Sequence, residues 1–513
     1  MHSWNQGYVT DINYTRGYYG TLNPLRIKLC FLAQKLLPPT IDTACELGFG
    51  QGITLNFNAA SANAEWYGTD FNPSQAHFAE QLANISKAPL KIYDDSFEEF
   101  LQRQDLPQFD FIALHGIYAW VSKEIQEQII EFVQKKLNIG GVCLISYNCQ
   151  AGWASIAPLR DLLRTYSHYI TPLGKSSSER AKEGLKFVNA LMDLPCSQTL
   201  KNPKLDSVLS TLSKMDEIYL AHELLNEHHA PLNFVEMSQM MGKAKLEFAS
   251  YANFSDHLTN IQLLSEEKEL LMQVAHNRAI YEMLKDLMFA TSFRSDYWAR
   301  GVIRLSEHQA LEELLKLRII LTIPYSKIDY EIKTYRGNFK LNEGFYSPVL
   351  HALSHNQPMR VAKLKEVLQD SLKREIVFQE LIEALIALSN KDYIKLVQKD
   401  EHIQRAQEYT RNLNMHILQQ SAQTPNYINY LISPVTGEAI SLNRFELMFL
   451  YAHTLYENSK DQVEFVANLL RQSGEKISKD KKGLSDQEIL IELEKQAQGI
   501  QEWIEVLQKL KIL

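Results

Sequence analysis

Glu46-Leu47-Gly48-Phe49-Gly50-Gln51-Gly52 carries three glycines at alternate positions, with an acid two residues ahead of the first. Upstream, Ile41 to Leu47 is apolar, broken early by Asp42 and Thr43. Downstream, Ile53 to Ala62 is periodic. The pattern predicts a strand, a tight turn and a helix. Glycine suits a turn that is sharp and brings its backbone against a ligand. The helix behind it offers free N–H groups and a partial positive charge. A second strand, Glu65-Trp66-Tyr67-Gly68-Thr69-Asp70, also ends in an acid. Asp70 falls about where open α/β sheets place a ribose-binding carboxylate. Alternatively Asp70, Asn72 or Ser74 caps a helix opening at Pro73. The glycines alone also fit a turn that holds no ligand.

A dinucleotide fingerprint reads G-x-G-x-x-G. Here the spacing is G-x-G-x-G, and position 53 is Ile. That arrangement resembles motif I of the class I S-adenosylmethionine (SAM) methyltransferases. The resemblance implies SAM as cofactor, with Glu46 near its cationic end and Asp70, followed by Phe71, at its ribose. SAM has no pyrophosphate, so a full phosphate cradle is unnecessary.

The chain has 513 residues, enough for two to four domains. Its 53 Lys and Arg against 61 Asp and Glu give −8, with no basic block. General nucleic-acid binding is therefore not expected. No apolar run is long enough to span a bilayer. Met1 to Gln6 lacks the charged and apolar regions of a signal peptide. The five cysteines, Cys30, Cys45, Cys143, Cys149 and Cys196, are scattered and never C-x-x-C. They read as reduced thiols in a cytoplasmic protein, with Cys45 and Cys143 packing inside strands.

Gly7 to Gly20 holds four tyrosines and three glycines before any expected strand. Such a leader suits a lid over a ligand, or packing on the domain surface. Pro24 opens an amphipathic helix with Leu25, Leu29, Leu32 and Leu36 on one face. Leu90–Tyr93 reads as a third strand, and Asp95 and Ser96 follow it at the adenine edge. Ser96 with Glu99 also forms a capping box. The fourth strand, Phe109–Leu114, runs into His115-Gly116-Ile117-Tyr118-Ala119-Trp120-Val121. His115 is placed to contact SAM or substrate. A helix Lys123–Lys136, a turn Asn138–Gly141 and a fifth strand Val142–Tyr147 complete a parallel, doubly wound sheet. Helices are expected at Ala154–Thr165, Ser178–Met192 and Ser207–Leu225. Pro231–Phe234 and Leu246–Ala249 are candidates for closing strands. His222-Glu223 begins like H-E-x-x-H, but Asn226 replaces the second histidine; His351 and His355 lack a third ligand. No metal site is expected. Beyond residue 300, Tyr330–Lys340 is strand-like. Helices Ser347–Ser354, Arg360–Gln369 and Glu375–Ser389 then lead into a strand at Asp392–Val397, the order of a winged-helix-like module. The last hundred residues are helical, interrupted by a polar stretch at Ser473–Ser485.

Three stretches, Gly7–Tyr19, Phe109–Val121 and Tyr219–Leu225, resemble bacterial methyltransferases that carry a methyltransferase regulatory domain. That family includes the rickettsial protein-lysine methyltransferases, which act on outer-membrane surface proteins. One departure is Phe49, where many members carry Cys. The resemblance implies an α/β, Rossmann-like class I sheet followed by mostly helical accessory domains. Four units are expected: 1–170, SAM-binding with an N-terminal lid; 171–310, regulatory and dimerising; 311–415, helical or winged-helix-like; and 416–513, helical. It implies that Glu46, Gly48, Gly50, Gly52, Asp70, Asp95, Ser96 and His115 line the cofactor pocket. It also implies a homodimer acting on a protein partner with exposed lysines.

The expected reaction is in-line attack of a neutral lysine amine on the SAM methyl. The sulfonium is already activated, so the enzyme mostly positions and desolvates. Tyr14, Tyr18, Tyr118 and Trp120 are candidates for an aromatic lysine channel; each alternatively packs beneath the lid. A small-molecule acceptor, another protein side chain, or SAM binding without turnover are the competing functions.

Overall fold

The computed structural model describes residues 7–172, 174–194, 203–424, 427–473, 478–479, 482–483 and 486–513. Cys196 and much of the polar stretch at 473–485 lie outside them. The strand–turn–helix at the glycines forms as expected: β1 is Thr43–Leu47 and α2, after an opening helix α1 (Pro24–Ala33), is Ile53–Ser61. Strands β2 (Glu65–Thr69), β3 (Leu90–Tyr93) and β4 (Phe109–Leu114) alternate with helices α3 (Pro73–Ser86), α4 (Phe97–Gln102) and α5 (Lys123–Lys136). Asn72, not Asp70, caps α3: its side chain accepts from Ser74 N at 3.0 Å, with Pro73 in the first turn. This leaves Asp70 free for another role. The Ser96–Glu99 capping box on α4 is present.

β5 spans Leu137–Asn148. The turn expected at Asn138–Gly141 is instead the start of this strand, joined to β4 through an irregular register. Two later strands, β6 (Glu247–Tyr251) and β7 (Phe293–Ala299), close the sheet in the order β3-β2-β1-β4-β5-β7-β6. β1 to β5 are parallel and β7 is antiparallel to both neighbours. Leu246–Ala249 is thus broadly right as a closing strand. Pro231–Phe234 is not one: Asn233 caps a helix, Phe234–Lys243.

Between β5 and β6 lie helices Ala157–Tyr169, Ser177–Met192, Pro203–Leu212 and Glu217–Leu225. The single helix expected over Ser207–Leu225 is broken, because Asp216 accepts from Ile218 N and Tyr219 N and so caps a new start. These helices share a small apolar core that includes Leu163, Leu185 and Leu220. Beyond β7, a three-stranded antiparallel sheet joins Met359–Arg360, Arg318–Leu321 and Ile394–Leu396. Helices Glu343–Ala352, Val361–Leu372 and Phe378–Asn390 accompany it, and the strand-like Tyr330–Lys340 is a hairpin. The helix Asp400–Gln423 packs on α2 and α3, where Ile53, Phe57 and Leu82 share a core with Leu413 and Ile417. The C-terminal region is therefore fastened to the back of the helix that follows the glycine loop. Cys45 and Cys143 are fully buried packing residues. Among the described residues, no helix is long and apolar enough to cross a membrane.

Candidate active site

A cavity opens at the carboxyl ends of β1, β2 and β4, where open α/β sheets bind ligands. Counting its open mouth, it encloses about 1110 Å³. Its floor is the glycine loop. Gly48, Gly50 and Gly52 have φ of +70°, +57° and +68°, a region that costs other residues. A Cβ on Gly52 would stand 2.4 Å from the Ala79 Cβ of α3. The spacing of the glycines thus follows from three left-handed positions and one helix contact.

Two carboxylates face this loop. Glu46 is 4% exposed, and its Oε2 has no hydrogen-bond partner among the described residues. Burial, with Asp70 adding to it, raises its pKa to about 8. Asp70 is 6% exposed and accepts from Gly50 N at 2.8 Å and Asn72 N at 3.1 Å. Burial nevertheless raises it to about 7. A buried acid lacking a partner is costly unless a cation or donor completes it. The pair therefore suits a ligand that brings positive charge to Glu46 and donors to Asp70.

His115 lines the wall. The Ser146 hydroxyl accepts from Gly116 N at 2.7 Å and lies within hydrogen-bond distance of His115 Nδ1, 3.2 Å away. Burial lowers the imidazole to about 4. The ring is therefore neutral near pH 7. The Tyr19 ring lies against it, tilted by 37° with centroids 4.2 Å apart.

The leader crosses the mouth without helix or strand and contributes Tyr8, Tyr14, Thr15, Gly17 and Tyr19 to the lining. It is tied on both sides. Tyr19 N donates to Thr54 Oγ1 of α2 at 3.0 Å, and Val9 N donates to Asn226 Oδ1 at 3.0 Å. Asp11 accepts from Ser177 N and Ser177 Oγ at 2.8 and 2.7 Å. The leader therefore lines the cavity while tied to α2 and to Asn226 and Ser177.

Of the residues singled out from the sequence, Tyr14, Trp120, Glu46, Gly48, Gly50, Gly52, Asp70, Phe71, Ser96 and His115 meet in this cavity. Tyr18, Tyr118 and Asp95 do not line it. Tyr18 leaves the leader on the opposite side and packs on Phe57 and Tyr430. Asp95 is held by Arg103 at 2.9 Å, while its backbone carbonyl accepts from Thr69 Oγ1. Tyr118 is fully buried in the core below the wall, and its hydroxyl has no partner among the described residues. Removing an unpartnered buried hydroxyl costs nothing in hydrogen bonding. Tyr118→Phe should leave the melting temperature equal or higher. A clear drop in a thermal melt would show that the hydroxyl holds the core together.

The sequence reading missed Tyr8, Tyr19 and Gln75 in the lining. Tyr8 and Tyr19 belong to the same tyrosine-rich leader, so a signal existed but not its facing. Gln75 gave none. Behind the leader lies a second group from the rejected metal motif. His222 is buried against Tyr8 and Tyr14, with centroids 5.6 and 5.0 Å away. Trp120 stacks on His229 at 4.4 Å, and the Arg160 guanidinium lies 5.5 Å from the Trp120 centroid.

With this geometry in place, the comparisons are specific. Residues 216–300 match the model of a predicted methyltransferase regulatory domain. The chain is 33% identical to protein sll1526 of Synechocystis over 491 residues, 94% of each chain. It is 22% identical to protein RP789 of Rickettsia prowazekii, covering 85% of this chain and 81% of that one. In three dimensions it is similar to PKMT2 from Rickettsia typhi, a structure in complex with AdoHcy. That match has a TM-score of 0.68 at 18% identity, over 96% of this chain and 99% of the other. The overall fold is thus shared across nearly the whole length.

Proposed function

Because the chain belongs to one family with the Synechocystis protein, class I methyltransferases carrying the methyltransferase regulatory domain, we propose that it methylates lysine side chains of a protein acceptor, with SAM as donor. The observation that carries the cofactor reading is the buried Glu46 Oε2, without a partner among the described residues, with Asp70 acting on the same carboxyl and three left-handed glycines in the same cavity. Glu46 meets a cationic group, Asp70 the ribose hydroxyls, and the glycine loop leaves room for backbone approach. Phe97 and Ile117 offer apolar surface for an adenine, and Ser96 a hydroxyl at its edge. Bound there, SAM supplies a methyl group already activated by the sulfonium.

The residues of this chain do the rest by positioning and desolvation. Tyr8, Tyr14, Tyr19 and Trp120 wall the open side. Their rings exclude water, which lowers the pKa of an entering ammonium, and their faces favour an alkylated cation. The rickettsial neighbour supports the reading at the level of fold. On this view 1–170 is the catalytic unit and 171–310 the regulatory one. Residues 311–415 and 416–513 then widen the surface for a large acceptor. The same reading makes the enzyme a cytoplasmic homodimer, with outer-membrane or surface proteins met before export. Met272 and Leu287, exposed on 171–310, suit a dimer contact.

Tritiated SAM with whole-cell lysate tests the proposal. A labelled protein band that yields methyl-lysine on hydrolysis supports it. Label confined to small molecules replaces the acceptor class, and tight SAM binding without transfer removes catalysis.

The acids add a pH prediction. A docked cation favours their ionised forms, so binding expels protons that burial had retained. SAM affinity should rise between about pH 5.5 and 7, by up to about tenfold per unit for each proton released. This window stays below the titration of SAM's own amine, about 7.7–8.0 for an α-amino group. Calorimetry in two buffers of different ionisation enthalpy counts the protons. No proton release and a flat affinity would take both acids out of the site.

A further inference from the structure

Residues of the leader face in opposite directions. Tyr14, Gly17 and Tyr19 line the cavity, and a Cβ on Gly50 would stand 3.6 Å from Tyr14 Cδ1. Arg16 and Tyr18 turn away from it. The Tyr18 ring meets Phe57 of α2, with centroids 5.6 Å apart, and Tyr430, at 5.8 Å. The Arg16 guanidinium lies 5.0 Å from the centroid of Phe78 on α3 and 5.1 Å from that of Tyr427. Phe78 and Tyr427 themselves meet edge to face at 6.1 Å. Tyr427 and Tyr430 come from the far end of the chain, and they stand on a fixed mount. Tyr430 opens the strand Tyr430–Ile432, which pairs with Ala439–Ser441. Ile432 N donates to Asn414 Oδ1 at 2.8 Å, and Asn414 Nδ2 donates back to Ile432 O at 2.9 Å. His416 Nε2 lies 3.0 Å from Tyr427 Oη. Asn414 and His416 sit on Asp400–Gln423, the helix that packs on α2 and α3. The outer side of the leader is therefore held by a post built into the C-terminal region.

We propose that Tyr430 and Tyr427 are positioning residues for the cavity. By gripping Tyr18 and Arg16 they hold Tyr14 and Tyr19 over the bound cofactor, and so set how fast it leaves. This rests on the cofactor reading above. From Tyr8 to Tyr19 the leader has neither helix nor strand, so its facing depends on what it packs against. Extended backbone that sends Tyr18 outward sends Tyr19 inward, so a grip on the one fixes the other. Tyr19 then lies against His115, and Tyr14 over the glycine loop. An aromatic pair and a cation over a ring each add a modest attraction, and here both act on one short stretch. The earlier part of the leader is tied elsewhere, at Val9 to Asn226 and at Asp11 to Ser177. Only its later part depends on the tyrosines. Loosening their grip raises the fraction of time the leader stands open, which speeds release. The C-terminal region thus serves the cavity although no residue beyond Ile125 lines it among the described residues.

The test follows two readouts on the full-length protein. One is release of tritiated S-adenosylhomocysteine into an excess of unlabelled ligand. The other is trypsin cleavage after Arg16, read by mass spectrometry, which tracks how often the leader opens. Tyr430→Ala should speed release about fivefold, the scale of one aromatic pair, and hasten cleavage of the Arg16–Gly17 bond. Tyr430→Phe keeps the ring and should restore both readouts. Tyr451→Ala removes a ring pair with Phe465 in the same region, 5.9 Å between centroids, that includes no leader residue, and should change neither. Unchanged release or unchanged cleavage in Tyr430→Ala would overturn the proposal. So would an equal gain in Tyr451→Ala, which reduces the effect to general loosening of the C-terminal region. Should Tyr430→Ala fail to fold, Arg16→Gln tests the grip from the leader side, and wild-type release there overturns it. Wild-type protein that retains no S-adenosylhomocysteine, while Tyr430→Ala still opens the Arg16–Gly17 bond, would instead overturn the cofactor reading and leave the grip on the leader standing.

Discussion

Gly52→Ala should abolish measurable cofactor binding while leaving most of the chain folded. The residue closes the loop at φ +68° and ψ +19°, immediately before α2. A left-handed position costs an L-residue about 1–2 kcal/mol. The added methyl would also lie 2.4 Å from the Ala79 Cβ, with Phe49 at 3.4 Å. Ala79 is fully buried on α3 and has no flexible end to withdraw. The helices must therefore part, at about 1–3 kcal/mol for overpacking. Because α2 begins at Ile53, that shift carries the Gly48–Gly50 backbone away from Asp70, whose carboxylate accepts from Gly50 N. Gly140 supplies the control: its φ is +82°, and nothing lies within 4 Å of a Cβ built there. Gly140→Ala should show the backbone cost alone. Melting curves and calorimetry with S-adenosylhomocysteine measure both variants. Equal melting temperatures, or intact affinity in Gly52→Ala, would refute the close-contact argument.

The cofactor half was readable because each part obeys one local rule. The three glycines occupy left-handed positions, Asn72 and Pro73 start a helix, and Ser96 with Glu99 forms a box. The facing of the lid was not readable. Tyr18 and Tyr19 are adjacent, and extended backbone sends neighbours to opposite sides. Tyr19 therefore meets His115 while Tyr18 meets Phe57, and composition cannot say which does which. His222 was read only as half of a failed metal motif, because its contacts with Tyr8 and Tyr14 come from a leader about two hundred residues upstream. The strand β7 was missed for a different reason. Phe293–Ala299 contains Arg294, Ser295 and Asp296, all buried, so it lacks the apolar run of a central strand.

Those same residues give the largest stability effect expected in the protein. Arg294 Nη1 donates to Asp286 at 2.9 Å, Nη2 to Glu282 at 3.0 Å, and Nε to Asp296 at 2.9 Å. Tyr147 Oη of β5 donates to Asp296 at 3.1 Å, and Tyr251 Oη of β6 donates to Glu282 at 2.5 Å. Arg278 and Lys285 supply further positive charge to Glu282. One guanidinium thus joins three strands and the helix Arg278–Phe289. Replacing a whole buried cluster with apolar residues is often neutral, but removing one member leaves uncompensated charge. Arg294→Leu should therefore cost about 3–5 kcal/mol. The isosteric change Asp296→Asn should cost less, because Glu282 and Asp286 still neutralise the arginine. Urea unfolding followed by tryptophan fluorescence reads this, since Trp298 lies on β7 and is fully buried. The closing strands carry no residue of the cofactor cavity, yet β7 pairs with β5, which holds Ser146 against His115. Loss of the arginine should consequently weaken cofactor binding in proportion to the lost fold. A stable Arg294→Leu protein would show that the ion cluster is dispensable and that apolar packing alone closes the sheet.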